Sequence, residues 1–306
     1  MSTAFLFPGQ ASQFVGMGKD LYDASPVAAR VFDLADNILD IRIKSFCFCG
    51  PEESLRQTAI TQPAVFTHSV AALEMLKEAG IQPEIVAGHS VGELAALVAA
   101  GVIGIEDGLR LVSVRAQAMS AAGKTRPGSM AVIIGLGDRD VQTVCDAASE
   151  VGRVRLANFN CPGQTVISGE DRGVKRAIEM AREKGAKRTL ELPVSGAFHS
   201  DLMKPAVEAL SAALEGITFS QPHIPVVPNV TATPTTDPDE IKRLLIDQVV
   251  SPVRWAESVA SMIETGVDHA YEVGPGSTLK GLVRRIDRSL TVETAGTIED
   301  FAKVAV

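Results

Sequence analysis

A serine between two glycines is the first group in the sequence that could do chemistry. Gly88, Ser90 and Gly92 follow an apolar, β-branched run at 85–87 and precede an alanine-rich stretch, which predicts a strand, a sharp turn and a helix. Glycines on either side let the backbone turn tightly and expose the hydroxyl as a nucleophile. The N–H groups that begin the helix, including that of Val91, would point toward the group under attack. A serine that only caps a helix fits the same five residues.

The sequence offers five histidines as candidates for a general base. His89 is next to the serine in sequence but should point away from it, and His68 lies within a predicted helix. Two others flank strand-like runs without a local companion. His199 follows an apolar run in a predicted loop and precedes a predicted helix, which makes it the best candidate base. A histidine that only caps a helix has the same spacing.

An arginine on the helix predicted for residues 106–122 faces the wrong way for a surface charge. At 100° per residue, the polar residues of this segment cluster on one face, and Arg115 falls opposite them beside Val112 and Met119. An unpaired buried charge is very costly, so an inward arginine needs an anionic partner. A structural Asp or Glu would serve, and so would the carboxylate of a ligand, which a guanidinium binds with two hydrogen bonds.

Composition excludes several classes of protein. The chain has 306 residues, of which 46% are hydrophobic and 22% charged, as expected for a globular protein of one large or two ordinary domains. The net charge is −8 and no basic run is dense enough to hold a nucleic acid. The longest apolar stretch, around 85–103, contains charged and polar residues, and the N-terminus lacks the basic region of a signal peptide. We therefore expect a cytoplasmic protein that binds neither nucleic acid nor membrane.

Strand and helix patterns organise the first part of the chain. Residues 3–7 predict a buried strand, and the loop 8–13 leaves it at the end where α/β proteins place their sites. The N–H groups of Gln10 and Ala11 in this loop could supply a second donor beside the serine, and a plain glycine-containing turn fits the same residues. Residues 61–63 predict the start of a helix, with Thr61 or Gln62 near the cap, Pro63 at the first helical position and the end near residue 80.

Between residues 127 and 193 the pattern changes to a βαββαβ order, which is typical of a ferredoxin-like unit. The predicted elements are a strand at 129–136, a helix at 138–151, strands at 154–159 and 164–168, a helix at 171–184 and a strand at 187–192. We predict a small inserted domain over 127–193 with its own antiparallel sheet, and a large domain formed by 1–126 and 194–306. The cleft between them is a candidate ligand site.

The remaining segments predict a strand at 224–230, a helix that ends near 247–249, a strand at 270–273 and a turn at 274–276 into a last helix. That helix would align Lys280, Arg284 and Arg288 in one stripe at i, i+4 spacing. The stripe is either a solvated face or a docking surface for an acidic partner.

Several motifs in this order resemble malonyl-CoA:acyl carrier protein transacylases over nearly the whole chain. They are Phe-Pro-Gly-Gln-Ala-Ser-Gln at 7–13, Thr-Gln-Pro at 61–63, Gly-His-Ser-Val-Gly-Glu at 88–93, Arg115, Asn-Cys-Pro-Gly-Gln at 160–164, Gly-Ala-Phe-His-Ser at 196–200, Gln248 with Pro-Val-Arg-Trp at 252–255, and Gly-Pro-Gly at 274–276. Two positions depart from the family pattern. Ala11 stands where the family usually has Gly, and Val91 stands where Leu is common.

The resemblance implies an α/β fold, with a large hydrolase-like domain around a parallel sheet plus the small ferredoxin-like insert. It makes Ser90 the nucleophile and His199 its base, with the main-chain carbonyl of Gln248 orienting the imidazole. The oxyanion hole would come from the N–H groups of Gln10 and Val91. The remaining site residues that it implies are Arg115 on the malonyl carboxylate, and Gln62, Met119, Asn160 and Phe198 along the acyl pocket.

The implied activity is a ping-pong transfer of a malonyl group from malonyl-CoA to the phosphopantetheine thiol of acyl carrier protein, by a monomer without metal or redox cofactor. The pathway could be fatty acid synthesis, polyketide synthesis or malonate breakdown. A serine hydrolase or thioesterase is an alternative, although its histidine should lie near the C-terminus, whereas more than a hundred residues follow His199. A non-catalytic docking module for an acyl carrier is a second alternative.

Overall fold

A parallel sheet brings together the two loops that the sequence marks as chemical. The computed structural model describes residues 2–304. In spatial order the sheet consists of β7 (Val226–Val227), β2 (Ile85–Gly88), β1 (Ser2–Phe7), β8 (Val267–Val273) and β9 (Thr291–Ala295). Phe7 at the end of β1 pairs with Gly88 at the end of β2. The loop after β1 and the turn after β2 therefore leave the sheet side by side.

Helices cover both faces of this sheet. They are α1 (Lys19–Ala24), α2 (Pro26–Ile38), α3 (Ile43–Cys49), α4 (Glu52–Leu55), α5 (Thr58–Glu78), α6 (Gly92–Ala99), α7 (Ile105–Thr125), α10 (Lys204–Glu215), α11 (Pro238–Asp247), α12 (Trp255–Glu264), α13 (Thr278–Ile286) and α14 (Ile298–Val304). In β1, Phe5 and Phe7 join the larger core beside α5 to α7, and Ala4 and Leu6 join a second core beside α12 and α13. Burial on both faces explains the continuous apolar run of β1.

A second, antiparallel sheet is inserted between α7 and α10. It consists, in spatial order, of β4 (Val154–Cys161), β5 (Gln164–Gly169), β3 (Ser129–Ile134) and β6 (Arg188–Glu191), with α8 (Asp138–Ala148) and α9 (Asp171–Glu183) between strands in the chain. Ala131 and Ile133 pack against the two helices, whereas Met130 and Val132 join the larger core. The predicted fold class, including the βαββαβ insert, is confirmed. The domain boundaries at 126/127 and 193/194 stay a prediction.

The predicted start of α5 is wrong. The helix begins at Thr58, so Pro63 lies inside it rather than at its first position. The N–H of Thr61 already bonds to the carbonyl of Gln57 at 2.8 Å. Most residues of the first four turns are buried, and this packing outweighs the one hydrogen bond that a proline in the second turn removes.

Four predictions near the C-terminus also need correction. The strand predicted at 224–230 is only the two-residue β7, and β8 begins at Val267. The helix after residue 276 is not the last element, since β9 and α14 follow it. The prediction of one helical stripe is wrong as well: α13 ends at Ile286 and Asp287 is extended, with φ −149° and ψ 134°, so Arg288 lies beyond the helix.

Within residues 2–304, no helix combines the length and the apolar character needed to cross a bilayer.

His68, in the middle of α5, gives a prediction about stability. It is fully buried, and burial lowers its pKa to about 4, against a smaller opposing effect of the Asp20 charge. Between about pH 4 and the ordinary value of 6.5, the unfolded chain binds a proton at this residue that the folded chain does not, so the free energy of unfolding falls as the pH is lowered through this range. Between pH 7 and pH 4, we expect the free energy of unfolding of His68→Leu to fall by about 3 kcal/mol less than that of wild type. Urea unfolding of wild type and variant at pH 7 and pH 4 measures this difference. An equal decrease in the unfolding free energy of both proteins would contradict the prediction.

Candidate active site

The turn between β2 and α6 holds Ser90 in a strained backbone conformation. Its φ is 53°, in the left-handed region that residues other than glycine seldom adopt. A Cβ on Gly88 would lie 2.0 Å from the carbonyl carbon of Gly92, and one on Gly92 would lie 2.2 Å from the carbonyl oxygen of Phe7. Both positions therefore require glycine. The turn has the geometry of a nucleophile elbow, in which backbone strain exposes the hydroxyl.

His199 lies against the Ser90 hydroxyl although 109 residues separate them. Its Nε2 is 2.8 Å from Ser90 Oγ, and its Nδ1 is 2.9 Å from the main-chain oxygen of Gln248 at the end of α11. A carbonyl oxygen only accepts, so Nδ1 carries the hydrogen and Nε2 is left as the acceptor for the serine proton. Burial, and then the positive charge of Arg115, lower the pKa of His199 to about 3, which keeps the imidazole neutral near pH 7.

The N–H groups of Gln10 and Val91 are available beside this pair. Across residues 2–304 neither donates a hydrogen bond to the protein, and both residues line the same cleft as Ser90. A Cβ on Gly9 would lie 2.5 Å from the carbonyl oxygen of His89, so the loop after β1 runs in contact with the serine turn. Ala11 has φ 81°, which explains why glycine suits this position. The arrangement fits an oxyanion hole, whose donors must be fixed in advance.

Arg115 points inward, as the helical periodicity predicts, and is only 1% exposed. Its Nη1 donates to Gln62 Oε1 at 2.7 Å, and its Nη2 donates to Gln248 Oε1 at 2.8 Å and to Ser90 Oγ at 3.2 Å. In the part of the chain that the structure describes, no carboxylate forms a salt bridge with it within 4.0 Å. The structural Asp or Glu partner considered from the sequence is therefore replaced by amide oxygens, which leave the charge of the guanidinium uncompensated at short range.

The acyl-pocket residues implied by the resemblance line one cleft of about 420 Å³ between the small sheet and the serine turn. Gln62 donates through Nε2 to Met119 Sδ at 3.6 Å, and Asn160 Oδ1 lies 3.0 Å from His89 Nε2. Phe198 lies in the wall beside them. Arg115 lies one layer behind this wall, in contact with the lining Gln62 and Ser90.

Three polar groups of the site were not assigned from the sequence. Asn229, buried after β7, accepts the N–H of Ser90 at 2.7 Å through Oδ1 and donates to the carbonyl of Gly88 at 2.6 Å. The side chain of Gln248 contacts Arg115, and its Nε2 donates to the carbonyl of Ser90 at 3.1 Å. Glu93, 1% exposed, accepts from both Asn229 and Gln248. A charged residue within an apolar run was the one signal that could have drawn attention to Glu93.

We expect Asn229→Ala to destabilise the serine turn. The change leaves the N–H of Ser90 and the carbonyl of Gly88 without their partner, which costs about 2–3 kcal/mol of unfolding free energy. It also frees the backbone that aims the Ser90 hydroxyl, so acylation by a substrate should slow. Urea unfolding and the acylation rate measure the two effects; normal values for both would show that Asn229 does not hold the turn.

Residues 4–302 match the acyl transferase domain family. A malonyl CoA-acyl carrier protein transacylase of Bacillus subtilis (strain 168) is 48% identical over 288 residues, which cover 94% of this chain and 91% of that protein. The crystal structure of an acyl-carrier-protein S-malonyltransferase from Burkholderia pseudomallei 1710b superposes with a TM-score of 0.96 at 43% identity, covering 100% of this chain and 99% of that one.

A malonyl-transacylase solved in complex with its holo type II PKS acyl-carrier protein has the same TM-score of 0.96, at 40% identity and with 100% and 99% of the two chains covered. These similarities extend over the parallel sheet, the small sheet and the cleft between them. The chain therefore belongs to the malonyl CoA-acyl carrier protein transacylases of the acyl transferase domain family.

Proposed function

We propose that this chain moves a malonyl group from malonyl-CoA to the phosphopantetheine thiol of acyl carrier protein through an ester on Ser90. The observation that carries the proposal is the position of Ser90 Oγ, which lies 2.8 Å from the acceptor nitrogen of His199 and 3.2 Å from the guanidinium of Arg115. A nucleophile, its base and a cation for a carboxylate thus meet at one atom. The names of the relatives support the same transfer.

In the first half of the reaction, Ser90 Oγ attacks the thioester carbonyl of malonyl-CoA while His199 Nε2 takes the hydroxyl proton. The N–H groups of Gln10 and Val91 would stabilise the oxyanion, a contribution of about 10²–10³ in rate for one such donor. When the tetrahedral intermediate collapses, the C–S bond breaks and the proton passes from His199 to the CoA sulfur. The products are malonyl-Ser90 and free CoA.

The second half reverses these steps with a different thiol. His199 takes the proton of the phosphopantetheine thiol, the sulfur attacks the ester carbonyl, and the proton returns to Ser90 Oγ as the C–O bond breaks. Gln248 keeps the imidazole in the required tautomer throughout, because its carbonyl accepts from Nδ1. The cycle requires neither a metal nor a redox cofactor.

Arg115 would select the substrate. A malonyl group carries a carboxylate where an acetyl group carries hydrogen, and a planar guanidinium binds a carboxylate with two parallel hydrogen bonds. Burial lowers the pKa of Arg115 to about 10, against the opposing charge of Glu93, so the side chain is still a cation near pH 7. Gln62, which contacts both Arg115 and Met119, would shape the pocket around the short acyl chain.

The rival function is hydrolysis, in which water rather than a thiol would accept the acyl group. Incubation with malonyl-CoA and holo acyl carrier protein separates the two. We expect malonyl-loaded carrier and stoichiometric free CoA, with little free malonate. Rapid release of malonate with an unloaded carrier would overturn the transferase assignment and favour a hydrolase.

We also propose that the protein acts as a cytoplasmic monomer in fatty acid synthesis. Polyketide synthesis uses the same transfer, and the carrier bound to one relative is of that kind. Loading rates measured with fatty acid and polyketide carriers from the same source organism test the choice. Faster loading of the polyketide carrier would overturn it.

A further inference from the structure

One buried carboxylate of the site takes no part in the proposed malonyl transfer. Glu93 lies in the first turn of α6, three residues after Ser90, and is 1% exposed. Its Oε2 accepts the main-chain N–H of Asn229 at 2.8 Å and the side-chain Nε2 of Gln248 at 2.9 Å. It contacts neither Ser90 Oγ nor His199 through a hydrogen bond of the described residues.

Gln248 connects this carboxylate to the cation of the acyl pocket. Its Oε1 accepts from Arg115 Nη2 at 2.8 Å, while its Nε2 donates to Glu93. Two buried opposite charges are therefore separated by a single amide group. In this setting charges are poorly screened by solvent. Each charge stabilises the other: the charge of Glu93 raises the pKa of Arg115, and the charge of Arg115 lowers the pKa of Glu93.

The charge of Glu93 lowers the positive electrostatic potential that a malonyl carboxylate experiences beside Arg115. With Glu93 ionised, part of the positive potential at Arg115 is already offset before substrate enters. An arginine without such a partner would bind the carboxylate more tightly and would stabilise malonyl-Ser90 relative to the thioesters on either side of it. In a ping-pong transfer an over-stabilised intermediate slows the second half of the reaction.

We propose that Glu93 is the counter-charge of Arg115: a positioning residue that acts through Gln248 to weaken the hold of the guanidinium on the malonyl carboxylate, so that the acyl group can be passed on. This inference rests on the proposed function. An acetyl group has no carboxylate, so its binding should not depend on the charge of Glu93.

A purely structural role for Glu93 predicts the opposite result. If the carboxylate only satisfies the N–H of Asn229 and stabilises the start of α6, its loss should weaken acylation by malonyl and acetyl groups alike. The counter-charge role predicts that loss of the charge strengthens malonylation and leaves acetylation unchanged.

The test uses Glu93→Gln, since the amide oxygen of glutamine can accept from both Asn229 and Gln248. Purified enzyme is equilibrated with fixed ratios of malonyl-CoA to CoA, or of acetyl-CoA to CoA, at pH 8, and the acylated fraction is read by intact mass. We expect the malonylation constant, divided by the acetylation constant, to rise roughly tenfold over wild type. An unchanged or lower ratio would overturn the proposal.

The wild-type protein provides a second test that needs no variant. Burial raises the pKa of Glu93 to about 7, so it gains its proton between pH 8 and pH 6. The other titratable groups around it are Arg115 from α7, His199 from the loop between β6 and α10, and His89 beside Ser90. Their pKa values lie near 10, near 3 and below the ordinary value, respectively. We expect the malonyl-to-acetyl ratio to be higher at pH 6 than at pH 8 in wild type. A flat ratio would overturn the proposal.

Glu272→Gln is the matched control. Glu272 is equally buried, but it accepts the N–H groups of Leu279 at 2.9 Å and Lys280 at 2.8 Å at the start of α13. Its substitution should leave the malonyl-to-acetyl ratio unchanged, and a rise as large as that of Glu93→Gln would overturn the proposal.

The same measurements separate failure of the proposed function from failure of the role of Glu93. If wild type forms no malonyl-enzyme, the proposed function is wrong. If wild type forms malonyl-enzyme and only the malonyl-to-acetyl ratio fails to respond, the role of Glu93 alone is wrong.

Discussion

Ser90→Ala is expected to form no acyl-enzyme and to lose malonyl transfer by about 10⁴-fold or more. The change removes the only oxygen that lies within hydrogen-bonding distance of both His199 Nε2 and Arg115 Nη2 in the part of the chain described. The structure should be little disturbed, because the main-chain N–H of residue 90 can still donate to Asn229. Intact mass after incubation with malonyl-CoA measures the acyl-enzyme, and radiolabelled carrier loading measures the rate.

Ser258→Ala is the control for this variant. Ser258 is buried in α12, where its hydroxyl donates to the carbonyl of Arg254 at 3.0 Å, and it does not line the cleft. It should retain both acylation and transfer. A non-catalytic docking module would show no malonyl transfer even as wild type, whereas undiminished transfer by Ser90→Ala would contradict Ser90 as the nucleophile.

Arg115→Ala is expected to lower malonyl transfer by about 10²- to 10³-fold while sparing or raising acetyl transfer. Removal of one partner from a buried, hydrogen-bonded charge interaction has an effect of this size. Acetyl groups should lose nothing from the change, since they have no carboxylate for the guanidinium to bind. Values of kcat/KM for malonyl-CoA and acetyl-CoA with the same carrier measure the shift.

Two further variants show whether the charge or the shape of Arg115 matters. Arg115→Lys keeps the charge without the planar fork, so malonyl transfer should fall between wild type and Arg115→Ala. Arg110 lies on the exposed face of the same helix, where it pairs with Glu106. Its substitution in Arg110→Ala should change the transfer of neither malonyl nor acetyl groups. Equal loss of malonyl and acetyl transfer in Arg115→Ala would contradict the proposal that Arg115 binds the malonyl carboxylate.

The features that could be predicted from sequence are those with a local cause. The turn at Ser90 depends on two glycines within five residues, and the inward face of Arg115 depends on the period of one helix. The βαββαβ insert could be predicted as well, because each of its strands and helices shows its own periodicity and the order of elements is typical of one topology.

The features that could not be predicted depend on contacts between distant parts of the chain. Asn229 lies 139 residues after the serine that it holds, and the amide of Gln248 lies 158 residues after the carbonyl of Ser90. No spacing rule relates such positions. The main-chain role of Gln248 came from the family resemblance, and its side chain, which connects Arg115 to Glu93, has no counterpart in any local pattern.

Tertiary packing also explains the wrong element boundaries. Pro63 is typical of a first helical position, yet α5 is buried on nearly all sides and continues through it. The run 224–230 has the composition of a strand, but only Val226 and Val227 pair with β2. In both places the neighbouring elements, rather than local propensity, decide where the element begins and ends.

The most direct test of the account is to trap the acyl-enzyme of wild type with a panel of acyl-CoAs and to map the modified residue by peptide mass. We predict one malonyl group per chain, on Ser90, with acetyl-CoA and longer monocarboxylic acyl-CoAs giving far lower occupancy. A malonyl group on another residue, or equal occupancy by acyl groups with and without a carboxylate, would contradict it.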